Sequence, residues 1–396
     1  MTIRGFRFAG IAAGIKKQAG MKDLGLIVAQ NPCSGAALFT RNKVVAAPVI
    51  LGKEVVADGR LQAILVNSGN ANCFTGEQGM ADAVASTRMA AERLGISPDL
   101  VMVSSTGVIG APLPMNRFEQ GIPDVANALE TGCIEDFAEA ILTTDTCTKI
   151  VRKTGRVETE GGTKEFSVLG VAKGSGMIRP DMATMLAYVL TDAAVSAQDL
   201  KTALVHANER SFNRITVDGD TSTNDTLACM ASGAGQAVIE DETSFAAFQS
   251  VLDAACYDLA KLIVKDGEGA TKTASIAVKG AASREDAFMA AEAIAHSNLV
   301  KTAIYGQDPN WGRITAAAGR SGAEVDQDKM DLYFGEISLV HQGQWQGADA
   351  EARAAQLMKN KEVDIILDLN LGHHEDRFLF SDFSENYVKI NADYRT

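Results

Sequence analysis

The sequence predicts a mixed α/β protein, and three features of its 396 residues predict it. Short β-branched runs read as strands, segments with apolar residues at helical spacing read as helices, and the two kinds alternate along the chain. Glycine (36) greatly outnumbers proline (8), and the glycines cluster at turns between the apolar runs. Interleaving of this kind gives α/β or α+β, and we take α/β. In chain order, Leu61–Val66 (LQAILV) reads as a strand. Met80–Leu94 reads as a helix, because Met80, Val84, Thr87, Ala91 and Leu94 fall on one face. Val101–Ser104 and Ser167–Ala172 are strands by the same signals as the first. Ser196 followed by Asp199 resembles a capping box, opening a helix that reaches about Asn208. Phe245–Val264 is the longest helical pattern, and Glu285–His296 is another. Ala274–Val278, Leu332–Val340 and Val363–Leu369 complete the strands. No internal repeat or low-complexity stretch interrupts the chain, and its composition marks no domain boundary.

The balance of charge excludes some functions. The formal net charge is −13, so nothing offsets repulsion from nucleic-acid phosphates or an anionic membrane. No apolar run approaches the ~20 residues that a membrane helix needs, and the start has no continuous signal-peptide core. A soluble cytoplasmic protein is expected. The six cysteines, Cys33, Cys73, Cys133, Cys147, Cys229 and Cys256, never form a C-x-x-C pair, so buried reduced thiols are expected and a metal site is not. Five histidines show no H-E-x-x-H spacing, and nothing in the sequence supports a histidine-based triad.

The most informative stretch is Lys173–Asp192, KGSGMIRPDMATMLAYVLTD: a Gly-rich turn, then Pro180, then Ala183-Thr184 opening an apolar run. An arbitrary Ala-Thr pair is an ordinary loop entering a buried element. The whole string, however, closely resembles the self-cleavage segment of the ornithine acetyltransferase (glutamate N-acetyltransferase) family. The resemblance covers nearly the entire chain. MKDLGLIVAQ, FTRNKVVAAPV (Phe39–Val49), NSGNAN (Asn67–Asn72), SSTGVIG (Ser104–Gly110), TTDT (Thr143–Thr146), DGDTSTND (Asp218–Asp225), DGEGATK (Asp266–Lys272), DPNWGR (Asp308–Arg313) and the closing NADYRT (Asn391–Thr396) all resemble family blocks, in the family's order.

The resemblance implies a layered α-β-β-α sandwich of the N-terminal-nucleophile-like type, cut between Ala183 and Thr184. The products would be an alpha chain, 1–183, and a beta chain, 184–396, associating as α2β2. Residue chemistry agrees with that reading. A threonine hydroxyl is a poor nucleophile and needs a nearby base. Cleavage frees the α-amine of Thr184, with a pKa near ~8, within reach of its own hydroxyl. No catalytic histidine is then needed.

The resemblance also assigns roles. Thr106 and Gly107 match the oxyanion pair, where a hydroxyl and a close backbone N–H meet developing charge; losing one such donor costs ~10²–10³ in rate. Lys173 and Glu268 match the substrate-binding lysine and acid, for the carboxylate and the δ-amine of N-acetylornithine. Thr146, Asn391 and Thr396 match the remaining binding positions, with Thr144 an equivalent hydroxyl beside Thr146. The implied enzyme moves acetyl from N-acetylornithine to Thr184 and then to glutamate, in arginine biosynthesis. It needs no cofactor, and acetyl-CoA is left open as a second donor. Two rivals share these features: an amidase or aminopeptidase using water as acceptor, and an unprocessed amino-acid-binding protein.

Other motifs carry less. GSGMIR lacks the third glycine of a dinucleotide loop, and GEGATK lacks the ending of a phosphate loop. DGDTSTND has Thr223 where a calcium loop needs its turn glycine, so hydrogen-bonded turns that shape the site are the expectation there. DPNWGR is expected to be a structural corner.

Overall fold

The computed structural model describes residues 3–159, 161–179 and 185–393. The described residues form two compact units, one from the stretches 3–213 and 220–263 and the other from 214–219 and 264–393. This division by packing is distinct from the expected division into 1–183 and 184–396.

The strands of the first unit are β1 (Phe6–Ile11), β2 (Leu24–Phe39), β3 (Arg60–Asn70), β4 (Val101–Val108), β5 (Lys149–Val157), β6 (Lys164–Lys173), β7 (Leu186–Thr191) and β8 (Ala194–Val195). After β9 (Ile215–Thr216) of the second unit come β10 (Thr226–Ala231) and β11 (Val238–Ile239). The main sheet runs β4-β3-β2-β10-β7-β6-β5, with β1 on the same edge of β2 as β10. β2 makes this possible. Its first half pairs with β1 and β3, its second half with β10, and the register shifts between Val28 and Cys33. A break in register bends a strand and the sheet with it.

The bend brings two halves of the sheet face to face. One inner layer collects Ile27, Ala29, Ile64 and Val66 with Leu169, Val171, Leu186, Tyr188 and Leu190. Alternate residues point outward, since successive side chains in a strand alternate faces. On one outer face, Leu26, Val28, Ala63 and Leu65 meet the helices α1 (Ala47–Val55), α2 (Gly76–Leu94) and α3 (Met115–Ala128). Between the layers sits α4 (Ile134–Ala140), whose Phe137 ring lies edge-on to Tyr188 at 5.6 Å, worth about 0.5–1.5 kcal/mol beyond its area. After α5 (Ala197–Glu209) comes α6 (Glu242–Lys265), whose Leu259 and Phe248 pack on Gly170 and Phe166 of the other outer face. The first unit is therefore the expected α-β-β-α sandwich.

The second unit has a mixed sheet of β12 (Thr273–Ala281), β13 (Asp331–Phe334), β14 (Ile337–His341), β15 (Gln344–Trp345), β16 (Glu362–Asp368) and β17 (His374–Ser381), with β9 at one edge. The helices α7 (Arg284–Ala295), α8 (Asn298–Tyr305), α9 (Trp311–Gly319) and α10 (Ala348–Leu357) contribute to its core, and α11 (Glu385–Asp393) follows. The DPNWGR block is the corner expected: Asn310 caps α9 by accepting from Arg313 N at 3.1 Å, and Arg313 donates to the Leu299 carbonyl at 2.9 Å. Among the described residues no helix is long and apolar enough to cross a membrane.

Two expectations need correction. Leu332–Val340 is a hairpin of β13 and β14, turned at Gly335 with φ +56°. Only Gly335-Glu336 separates its two apolar runs, which disguises the break. Of the cysteines, Cys133 and Cys147 are exposed. Cys133 caps α4, its backbone N–H donating to Asp136 at 2.9 Å, a position at a helix end rather than in a core.

Candidate active site

The chemistry-bearing residues of the first unit gather where β4 and β6 end. β3 and β4 run parallel with Ser68 opposite Thr106 and Gly69 opposite Gly107. Gly107 has φ +131°, and a Cβ there would stand 2.4 Å from the Gly69 carbonyl carbon and 2.6 Å from Asn70 N. Only glycine permits this close backbone approach. The NSGNAN block holds the neighbouring turn. Asn67 donates to the Asn70 carbonyl at 2.9 Å and accepts from Ser105 Oγ at 2.6 Å, while Asn70 donates to the Pro112 carbonyl at 3.0 Å.

Lys173 is the last residue of β6 and lies opposite Leu186 of β7. It is almost fully buried, and its Nζ donates to Thr106 Oγ1 at 3.4 Å. Residues from the two packed halves of the sheet thus meet. A buried ammonium is costly without a counter-charge, and Asp145 supplies it. Its Oδ2 is 4.0 Å from Lys173 Nζ, and its Oδ1 accepts from Lys149 Nζ at 2.7 Å and from Gly174 N at 2.6 Å. Burial pushes the Asp145 carboxyl upward, but Lys173 and Lys149 outweigh it and hold the group well below the usual carboxylate range. Lys16 lies in the same field. Burial lowers its pKa, against the pull of Asp23 and Asp145.

Asp145 and Lys149 were not among the residues singled out from sequence. The available signal was an acid inside TTDT, where a buried Lys173 would need a partner. Thr146 is exposed beside it and Thr144 is half-buried.

The turn holding Ser222–Asp225 closes the cluster. The Thr40 hydroxyl donates to the Ser222 carbonyl at 2.7 Å, and Asn224 donates to the carbonyls of Ala71 (2.6 Å) and Ser105 (2.9 Å). These are the hydrogen-bonded turns expected of DGDTSTND. Ala183, Thr184 and Thr396 lie outside the described residues. Met185, which follows in sequence, donates its N–H to Asp225 Oδ1 at 2.8 Å.

In the second unit, Glu268 sits in the turn after α6 and is largely buried. Asn391 of α11 donates to Glu268 Oε2 at 2.8 Å, so two of the residues singled out from sequence meet here. The loop carrying Glu268 is braced by Asp382, which accepts from Thr271 N at 2.8 Å and Lys272 N at 3.0 Å.

Comparison with known proteins agrees with this picture. The ArgJ family model matches residues 7–396. The chain is 51% identical to the arginine biosynthesis bifunctional protein ArgJ of Geobacter sulfurreducens over 100% of both chains. It is 49% identical to that of Symbiobacterium thermophilum, over 99% of this chain and 97% of the other. A crystal structure of the Bacillus halodurans ArgJ protein is 44% identical with a TM-score of 0.50, covering 52% of this chain and 98% of that one. A family model over nearly the full length and relatives at about half identity place the chain in the ArgJ family, enzymes of arginine biosynthesis.

Proposed function

We propose that this enzyme is a self-processing acetyltransferase that moves acetyl from N-acetylornithine to glutamate through an ester on Thr184. The observation that carries the reading is the 3.4 Å contact of Lys173 with Thr106 beside Gly107, whose close backbone approach no other residue allows. A cation, a hydroxyl and a tightly held backbone converge there, the donors that an acyl-transfer oxyanion and a carboxylate require.

In the precursor, the Thr184 hydroxyl attacks the Ala183 carbonyl. The peptide C–N bond breaks, the nitrogen takes up a proton, and water hydrolyses the resulting ester. The freed amine of Thr184 then serves as base for its own hydroxyl. That hydroxyl attacks the acetyl carbonyl of N-acetylornithine, Thr106 and Gly107 stabilise the oxyanion, and ornithine leaves with the proton. Glutamate's amine attacks the acetyl ester in turn, releasing N-acetylglutamate and restoring Thr184. The cycle balances without a cofactor.

Lys173 takes the substrate carboxylate and Glu268 the δ-ammonium. Thr146, Asn391 and Thr396 complete the binding set. The relatives are named bifunctional, and we assign the second activity to acetyl-CoA as donor to the same Thr184.

One observation supports the division into chains 1–183 and 184–396. The Bacillus halodurans chain is matched over 98% of its length by 52% of this one, and residues 184–396 make up slightly over half of the 396. In the first unit's sheet, β7 and β10 would belong to the second chain, yet they pair with β6 and β2 of the first. These pairings support the two pieces staying associated after cleavage, and we propose that they form half of an α2β2 assembly in the cytoplasm.

The test is turnover by the purified protein. N-Acetylornithine plus glutamate should give ornithine and N-acetylglutamate, with parallel-line initial rates in the two substrates. Release of free acetate in place of N-acetylglutamate would make the enzyme an amidase, and absence of turnover would leave a binding protein.

A further inference from the structure

The strand that follows the nucleophile assigned above and the strand that carries its oxyanion donors belong to different halves of the bent sheet. Thr106 lies near the end of β4, and residue 184 precedes β7, with β3, β2 and β10 between those strands in the sheet order. Misplacing a reacting group by ~1 Å can cost 10²-fold in rate, so something must fix the two halves relative to each other.

We propose that Asn224 and Asp225, consecutive residues in one turn, are a positioning pair that sets the nucleophile strand against the oxyanion strand. The inference rests on Thr184 being the nucleophile. Asn224 donates to the carbonyl of Ser105, the residue immediately before Thr106, and to that of Ala71. Asp225 accepts from the N–H of Met185, the residue immediately after Thr184. Both side chains are buried, at 6% and 1% exposure, where such bonds are shielded from water.

The turn is itself held in place. Thr223 Oγ1 donates to Asn224 Oδ1 at 2.6 Å, which fixes the amide with its NH2 towards the two carbonyls. Thr40 N donates to the Asp225 carbonyl at 3.1 Å, and Ala46 N to that of Thr223 at 3.0 Å. Met185 is pinned on its other side, because its carbonyl accepts from Thr226 N at 3.1 Å. One rigid turn therefore grips the chain next to both halves of the reaction centre.

Full burial raises the pKa of the Asp225 carboxyl well above the usual range, despite the Met185 bond, the charge of Lys173 and the Thr40 hydroxyl. An uncharged acceptor suffices for the grip. Asparagine, with the same shape and the same Oδ1, should replace it. A role as a buried charge would not survive that change.

The test compares Asp225→Ala and Asp225→Asn in the full-length chain with wild type. It follows the half-time of conversion to two chains and, on the matured protein, kcat and KM for N-acetylornithine. Asp225→Ala should slow processing and lower kcat by roughly 10²-fold with KM changed less than about threefold. Asp225→Asn should recover most of both rates. Should Asp225→Ala fail to accumulate, Asn224→Asp decides: it keeps the shape but loses the two donors, and it should lower kcat about tenfold at constant KM. Wild-type rates in Asp225→Ala, an Asn variant no better than Ala, or an unchanged kcat in Asn224→Asp would overturn the proposal. Thr184→Ala run in parallel separates the two levels. If that variant still processes, the nucleophile assignment fails. If it is blocked while the turn variants match wild type, only the positioning pair falls.

Discussion

Lys173 Nζ reaches Thr106 Oγ1 across 3.4 Å, joining the end of one sheet half to the end of the other, with Asp145 at 4.0 Å as the counter-charge. Lys173→Met keeps the length of the stem and removes the cation. If the ammonium holds the substrate carboxylate, kcat/KM for N-acetylornithine should fall ~10–150-fold, the worth of a charge-assisted bond of roughly 1.5–3 kcal/mol. Steady-state kinetics checks this, and a loss under threefold would contradict it.

Gly107→Ala meets two obstacles at once. The φ of +131° is strained for alanine, and its Cβ would press against the Gly69 backbone at 2.4 Å. Stability should drop by about 1–3 kcal/mol, and kcat should fall more than KM rises, because the oxyanion exists only in the transition state. Denaturant unfolding and kinetics on the same preparation measure both. A KM effect that exceeds the kcat effect would move Gly107 from oxyanion stabilisation to substrate binding.

Glu268→Gln retains an oxygen that can accept from Asn391 but loses the charge. Its kcat/KM for N-acetylornithine should fall ~10–150-fold, while N-acetylnorvaline, which lacks the δ-amine, should lose little. Processing involves no ornithine and should proceed. Equal losses on both donors would reject Glu268 as the partner of the amine.

Lys301 offers a pH test in the second unit. It is fully buried, donates to the Ser381 carbonyl, and lies 5.6 Å from the Phe380 ring. Burial lowers its pKa to about 7, against the pull of Asp218 and Asp382. The unfolded lysine binds its proton up to pH ~10.4, so between those values the unfolded state holds more protons and stability rises with pH. The stability of Lys301→Met relative to wild type should therefore be most favourable below pH 7 and decline as the pH is raised from 7 to 10. Urea unfolding at pH 6, 8 and 9.5 reads it, and a difference independent of pH would refute the shift.

The helices and the central strands were legible from residue spacing, because α2, α6, β3 and β6 each follow one period along their length. The β13–β14 hairpin was not, since Leu332–Phe334 and Ile337–Val340 read as one apolar run when the turn between them is only Gly335-Glu336. The resemblance singled out Lys173, Glu268 and Asn391 individually, and the structure adds what each one touches. Asp145 escaped because nothing local marks an acid as buried; its role comes from Lys149 four residues on and Lys173 on another strand. Asn224 and Asp225 were visible only as turn formers. Their partners, Ser105 and Met185, lie 119 and 40 residues away, and short-range patterns carry no information at such separations.

The most direct measurement is the intact mass of the purified protein beside that of Thr184→Ala. Wild type should give two chains, residues 1–183 and 184–396, with threonine at the start of the second, and Thr184→Ala a single chain of 396 residues without transferase activity. A wild type that remains one chain yet turns over N-acetylornithine, or a Thr184→Ala variant that still divides before residue 184, would contradict the self-processing threonine nucleophile.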